Sequence, residues 1–331
     1  MIQVNNMLPK VERPVVLAFI CIGLLLFLGS LYTPNFLSAD YLLKQLQLGA
    51  FLGIIATGVM LIILLGHIDL SIPWVLTSSA MMATAVVGWW GDAGTVLAIP
   101  VGITVGALFG MINGFGVAYL RVPSMIFTLG VNAVAQGLMV VSTGGAAPLD
   151  YATKTMRFLG AGFSFGDTVP NSLIVWGMVG ASTILLLQKT SFGRFTYAIG
   201  NKETAAYLSG VNTRWIVMLC FIIAGALYGL AGVLLAGYST KAAQAMGDPY
   251  LLPAIAAVVL GGTYILGGRG TYLGTITGVI LITLLQSILR IVQLPDSWRT
   301  IFEAPESLRE IVYGVIIILM MLLYGREKKT S

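Results

Sequence analysis

Long apolar runs separated by short polar stretches dominate this chain of 331 residues. A helix that crosses a membrane needs about 20 mainly apolar residues, and the pattern predicts ten such segments. Their predicted bounds are 14–32, 46–66, 71–90, 95–119, 124–142, 171–188, 214–236, 251–267, 271–292 and 308–324. The eighth is short and rich in glycine, so it is either a full span or a re-entrant segment. The predicted fold is an all-α, polytopic membrane protein with about ten transmembrane helices.

The composition excludes a soluble fold. Only 9% of the residues are charged and 57% are hydrophobic, with a mean hydropathy of +0.93, whereas soluble domains are about 25% charged. An outer-membrane barrel is also excluded, because its strands alternate between apolar and polar residues over roughly ten positions. No loop is long enough for a separate soluble domain. Residues 1–331 are therefore predicted to form one transmembrane domain, with the membrane bundle over 14–325.

Positive charges predict the orientation, since cytoplasmic loops carry an excess of Lys and Arg. With the N-terminus inside, eleven of these residues lie on the inner side and seven on the outer side. The inner set is Lys10, Arg13, Arg121, Lys189, Arg194, Lys202, Arg214, Arg269, Arg326, Lys328 and Lys329. Both termini and the loop 189–213 are therefore predicted to be cytoplasmic.

Signatures of catalysis are missing from the chain. The glycine-rich "LGGRGTYLG" at 266–274 lacks the Lys-Ser/Thr end of a phosphate-binding loop. The single histidine, His67, cannot form a metal site or a catalytic triad alone, and no basic patch with interleaved aromatic residues suggests nucleic acid. We therefore expect no enzyme activity, no metal and no cofactor in this chain.

Two sets of glycines at four-residue spacing predict close helix contacts, because they place a groove along one helix face. The first set is Gly102, Gly106, Gly110 and Gly114, and the second is Gly270, Gly274 and Gly278. Plain packing is the favoured interpretation, and a role in sliding motion is the alternative.

Four polar residues within or beside apolar segments are candidates for a translocation path: Asp69, Asn113, Asn132 and Gln136. Asp69, in "GHIDLS", is interpreted first as a helix cap, with Asp69 or Ser71 accepting from free N–H groups and Pro73 in the first turn. The alternative is a broken helix that lines a cavity. For the three amides, hydrogen bonds between helices are favoured over the lining of a passage for an uncharged polar solute.

The predicted cytoplasmic loop contains a short polar helix over about 202–210. In this interpretation Gly200 ends one element, Asn201 caps the helix, Glu203 stabilises its first turn and Gly210 stops it. An ordinary amphipathic connector would show the same pattern.

Four blocks in order resemble the permease subunits of bacterial ABC importers of the ribose type, in the branched-chain amino-acid/monosaccharide permease superfamily. They are "GHIDLS", "NGFGVAYLRVPSMIFTLG", "TSFGRFTYAIGNKETAAYLSGVN" and "AIAAVVLGGTYILGGRGTYLG". The resemblance covers about residues 15–325. It implies a permease subunit in the bacterial inner membrane that passes a sugar or similar polyol delivered by a periplasmic binding protein.

The resemblance also implies partners and a coupling site. The partners are cytoplasmic ATP-binding subunits, which hydrolyse ATP, and a second permease that is identical or homologous. The polar helix resembles the coupling element that docks into the ATP-binding subunit, which often reads Glu-Ala-Ala-x-x-x-Gly; here the acid is shifted to Glu203. The implied coupling residues are Gly200, Asn201, Glu203, Thr204, Ala205, Ala206, Ser209 and Gly210, with Ala205, Ala206 and Gly210 as the expected docking contacts.

An ion-coupled secondary transporter is the alternative function. Such carriers usually need ionisable groups at mid-membrane, and Asp69 is the only candidate in this chain. A structural or signalling membrane subunit has no supporting motif.

Overall fold

The computed structural model describes residues 13–146 and 150–291, together with the single positions 311, 314, 315 and 318. Within these residues the long elements are helices, and seven are long and apolar enough to cross a membrane. The protein is therefore a polytopic, helical membrane protein. The predicted tenth segment, 308–324, lies outside the described residues except at those single positions.

The helices, in chain order, are α1 (Arg13–Tyr32), α2 (Ala39–Leu64), α3 (Ile72–Ala118), α4 (Ser124–Thr143), α5 (Lys154–Gly160), α6 (Asn171–Lys189), α7 (Ser191–Asn201), α8 (Glu203–Leu208), α9 (Thr213–Tyr238), α10 (Leu251–Leu260) and α11 (Tyr272–Ile291). Short 3-10 helices cover Pro34–Leu37 and Asp248–Tyr250. A two-stranded antiparallel hairpin pairs β1 (Phe163–Ser164) with β2 (Val169–Pro170).

Helix α3 contains the third and fourth predicted segments. Its 47 residues would extend about 70 Å as one straight helix, more than twice the thickness of the hydrocarbon core. The backbone breaks at Gly91, where φ is 55° and ψ is −123°. The two halves fold back on each other, since a Cβ atom on Gly94 would collide with the carbonyl oxygen of Val86. The structure thus has two antiparallel helices joined by one glycine.

Helix α2 is the central helix of the bundle. All of its residues from Gly49 to Leu64 are buried, and they form the main hydrophobic core with α9, α10 and α11. It begins seven residues before its predicted start, because the Ser38 hydroxyl oxygen caps it by accepting from the N–H of Tyr41 (3.4 Å). Helices α1 and α4, by contrast, expose many large apolar side chains.

The first glycine stripe forms the contact between α3 and α9. A Cβ atom on Gly106 would collide with the carbonyl oxygen of Gly225, and one on Gly110 with that of Phe221. The packing interpretation is therefore confirmed for this stripe. It also holds for Gly274 and Gly278, which approach α10 in the same way. Gly270 lies before α11 in a loop, with φ at 151°, so its assignment to the helical stripe is wrong.

The eighth predicted segment is not a continuous helix. Helix α10 has ten residues, or about 15 Å, which is half of a span. It is followed by an irregular, glycine-rich segment over 261–271, in which Gly262, Gly267 and Gly268 have positive φ. The N–H of Gly268 donates to the carbonyl oxygen of Leu64 at the far end of α2 (2.9 Å). Within this segment the helix is therefore confined to its first part, and the remainder is irregular backbone that contacts the end of α2.

The loops gather at two ends of the bundle. At one end, the α3–α4 turn contacts α8, and the loop before α11 contacts α2 and α7. At the other end, Tyr151 pairs with Lys241, and the Gln244 amide donates to Thr143. This grouping agrees with the predicted alternation of loops, and the assignment of one end to the cytoplasm stays a prediction.

We expect Gly106→Ala to destabilise the protein, because its new methyl group would meet the backbone of Gly225. Overpacking of this kind costs about 1–3 kcal/mol. A thermal-unfolding measurement on the detergent-purified protein should show a lower Tm. Gly137→Ala on α4 is the matched control, since its Cβ atom would meet nothing within 4 Å. Equal Tm values for the two variants would contradict the glycine contact.

Candidate functional site

A break in the helical backbone separates α2 from α3. Asp69 lies in this break with 4% of its surface exposed. Its Oδ1 accepts hydrogen bonds from the Ser71 N–H (2.8 Å) and the Ser71 hydroxyl (2.6 Å). The capping interpretation is therefore confirmed in part: the carboxylate pairs the N–H of the residue just before α3. Ser71 makes no side-chain cap to the helix, because its hydroxyl is committed to Asp69.

One face of α4 holds this break in place. Ser124, Thr128 and Asn132 are spaced four residues apart and therefore lie above one another on the helix. Their side-chain oxygens accept from three backbone N–H groups of the break and of the start of α3. The donors and distances are Ile68 to Ser124 (3.3 Å), Leu70 to Thr128 (2.9 Å) and Trp74 to Asn132 (3.2 Å). The broken-helix alternative is thus correct for the backbone here.

The structure brings three of the four candidate path residues together. Asn113 is 1% exposed, and its Nδ2 donates to the Ser71 hydroxyl (2.7 Å), which itself donates to Asp69. Its Oδ1 has no partner among the described residues. Asn132 is connected to this segment by the hydrogen bond that its Oδ1 accepts from the Trp74 N–H. Gln136 is exposed one turn farther along α4 and does not take part. The favoured interhelical hydrogen bonds are confirmed for Asn113 and Asn132, whereas a part in a passage stays a prediction.

Two helices form the predicted coupling loop. Helix α7 is capped by Thr190, whose hydroxyl oxygen accepts from the Gly193 N–H (3.4 Å), and it extends through Asn201. The assignment of Asn201 as the cap of the next helix is therefore wrong; Lys202 occupies that position without a side-chain cap. The reason is Gly200, which lies within α7 and does not end it. A Cβ atom there would collide with the carbonyl oxygen of Leu64.

Helix α8 ends as predicted at a glycine. Gly210 has φ at 84°, in the left-handed region that glycine adopts without penalty. Its N–H donates to the Tyr207 carbonyl (2.9 Å), and the Val211 N–H donates to the Ala206 carbonyl (3.1 Å). This pair of bonds is the Schellman motif of a helix C-terminus.

The outward surface of α8 differs from the predicted one. Ala206 is 5% exposed and packs into the protein, so its assignment as a docking contact is wrong. Thr204, Ala205, Ser209 and Gly210 are exposed. Two of the exposed side chains are large and apolar: Tyr207 at 67% and Leu208 at 84%. The sequence prediction places Leu208 on the surface of this helix but includes neither residue among the docking contacts, although bulky apolar residues on a short helix between polar neighbours are a usable signal.

Beside this surface lies an open cleft between α8 and the start of α9. Its volume is about 560 Å³, and its lining includes Tyr119, Tyr207, Thr213 and Arg214. Exposed apolar side chains next to a cleft, such as Tyr207 and Leu208 here, can bind a complementary protein surface.

Glu203 connects α8 to two other elements. Its Oε1 accepts from Nη1 of Arg121 in the α3–α4 turn (2.7 Å) and from the hydroxyl of Thr213 at the start of α9 (3.1 Å). Burial alone raises the pKa of Glu203, but these two hydrogen bonds and the Arg121 charge outweigh it and hold the pKa below its ordinary value. Glu203 is therefore ionised at neutral pH.

Comparison with known proteins assigns the chain to a family. Residues 41–321 match the family described as "Branched-chain amino acid transport system / permease component". The chain belongs to this permease family. The match covers most of the chain, including α8 and the break before α3.

Individual relatives support the assignment of this permease. It is 33% identical to the ribose import permease protein RbsC of Haemophilus influenzae, over 87% of this chain and 88% of the relative. It is 36% identical to RbsC of Bacillus subtilis, over 92% and 91%, and 30% identical to RbsC of Escherichia coli K12, over 94% of both. No solved structure gives a significant match.

Membership defines the class of protein. Members of this family are membrane-embedded transport subunits and not enzymes, and the seven apolar helices among the described residues of the permease fit an inner-membrane, multi-pass protein.

We expect Thr128→Val to destabilise the permease, because the N–H of Leu70 would lose its acceptor. A buried unpaired N–H costs about 1–3 kcal/mol, so the Tm of the purified protein should fall measurably. Thr104→Val is the matched control. The Thr104 side chain is exposed on α3 and bonds only the carbonyl of Pro100 one turn earlier. A Tm for Thr128→Val as high as that of the control would show that the break does not depend on α4.

Proposed function

We propose that this permease is the membrane subunit of an ATP-driven importer that passes a monosaccharide or similar polyol into the cytoplasm. The similarity to ribose import permeases over about nine-tenths of the chain carries the proposal. An ion-coupled carrier is not favoured, because Asp69 is committed to Ser71 and the family is one of ABC permeases.

The proposed topology has ten crossings and two cytoplasmic termini. The positive charges and the division of α3 at Gly91 support it. In this arrangement the end that carries α8 faces the cytoplasm, and the end that carries α5 and the hairpin meets a periplasmic binding protein. A second permease, identical or homologous, completes the membrane unit.

Docking of the ATP-binding subunit is proposed at α8. Tyr207 and Leu208 would insert into a groove of that subunit, with exposed Thr204, Ala205, Ser209 and Gly210 around them. The support is their exposure at a polar end of the bundle, since apolar residues there gain by being covered. Gly200 and Asn201 would support α8 indirectly, because they pack α7 against the loop before α11.

Transport by the reconstituted complex tests the proposed function. Proteoliposomes with the permease, its ATP-binding subunit and its binding protein should accumulate a labelled monosaccharide, with ribose tried first, only when ATP is present. Liposomes with the ATP-binding subunit alone provide the background. Uptake that is driven by a proton or sodium gradient without ATP would refute the proposal.

We expect Leu208→Ser to weaken binding of the ATP-binding subunit. Burial of a leucine side chain contributes about 1.5–3 kcal/mol, so the dissociation constant should rise at least tenfold in a pull-down titration. The Tm of the isolated permease should be unchanged, because Leu208 contacts little of its own chain. Phe165→Ser, at the opposite end and 79% exposed, is the control and should bind normally. Equal affinities for both variants would place the docking surface elsewhere.

A further inference from the structure

Arg121 has a backbone conformation that is unfavourable for residues other than glycine. Its φ is 57°, in the left-handed region where glycine is favoured and residues with a Cβ atom are strained. Arg121 lies in the turn after the end of α3, where the Val122 N–H donates back to the Gly116 carbonyl (3.2 Å) and Pro123 follows. A strained residue at such a site points to a use for its side chain.

That side chain reaches across to α8. The Arg121 guanidinium pairs with Glu203 at 2.7 Å, and Thr213 donates to the same carboxylate oxygen. Both charged groups are partly exposed, so the pair adds little to overall stability. Its geometric effect is larger, because one carboxylate fixes α8 to the α3–α4 turn and to the start of α9.

The α3–α4 turn leads directly into the polar face of α4. Ser124 is three residues after Arg121, and it is the first of the three side chains that hold the break before α3. Any displacement of α8 that moves Arg121 therefore moves the start of α4. Because a helix is stiff along its axis, Thr128 and Asn132 move with it.

We propose that Arg121 is a positioning residue that links the docked helix α8 to the buried break through α4. The proposal rests on the proposed function, since it requires an ATP-binding subunit that moves α8. With the link intact, movement of α8 shifts α4 and rearranges the segment around Asp69. Without the link, α8 moves alone and ATP is hydrolysed with less transport.

Arg121→Gly tests the link in the reconstituted complex. The change removes the guanidinium, and it also suits the backbone, since glycine accepts the observed φ without strain. The Tm of the permease should therefore stay close to that of the wild type, because the relief of strain offsets the entropy that glycine adds to the unfolded chain, and the ATP-binding subunit should still bind. The amount of sugar imported per ATP hydrolysed should fall about two- to fivefold, in line with the loss of one exposed ion pair.

Three further variants separate the link from other effects. Glu203→Gln should lower the ratio of transport to hydrolysis in the same way. The exchange R121E/E203R should recover part of it, which a purely structural role for either residue would not produce. Arg194→Ala is the control, because this exposed arginine at the same end bonds only Ser191 of its own helix; its ratio should match the wild type.

Two results would overturn the proposal. One is an unchanged ratio of transport to hydrolysis in Arg121→Gly. The other is a loss of binding to the ATP-binding subunit that accounts for the whole defect, because Arg121 would then act in docking. If the wild-type permease neither binds that subunit nor imports sugar, the proposed function itself is wrong, and this outcome is distinct because it appears without any substitution.

Discussion

Pairing of buried backbone N–H and carbonyl groups constrains this permease more than any other interaction. In a membrane interior each unpaired group costs several kcal/mol, so irregular backbone persists only where protein groups satisfy it. Two irregular segments among the described residues illustrate this, the break before α3 and residues 261–271. The first is satisfied by a stripe of hydroxyl and amide side chains on α4. The second is joined to the end of α2 by the bond from Gly268 to Leu64 and to α7 by the bond from Tyr197 to Gly270.

Glycine allows several backbone segments of the permease to approach one another closely. Side chains as short as serine and threonine reach a neighbouring backbone only when the elements approach closely. The glycines of α3 and α9 allow their backbones to meet, and Gly200 does the same for α7 against α2. At Gly200 this close approach lies beside the bond from Gly268 to Leu64, so there the glycine contact and the backbone hydrogen bond occur together.

Apolar runs were sufficient to predict most helices within a few residues, because crossing a membrane fixes both their length and their composition. What they could not decide is which way a residue faces. Ala206 and Leu208 lie two residues apart on one short helix, and only the neighbouring helices show that the first is buried. The sequence pattern predicts that Gly200 ends a helix, whereas its actual role is a close contact with Leu64. That contact joins residues distant in sequence, so the local pattern does not reveal it. The partner of Glu203 was hidden for the same reason, since Arg121 lies 82 residues away.

In the proposed docking, the side chains of α8 divide between two tasks. Its exposed side chains, Tyr207 and Leu208, are available to another subunit, whereas Ala206 and Glu203 hold the helix to its own chain. A helix held only by apolar packing could change its orientation when it is displaced, and the displacement would not reach its neighbours. A charged hydrogen bond is directional and short, so it resists that change of orientation even where it adds little stability. The bond from Arg121, a residue in an unfavourable backbone conformation, therefore gives α8 a defined position relative to the α3–α4 turn.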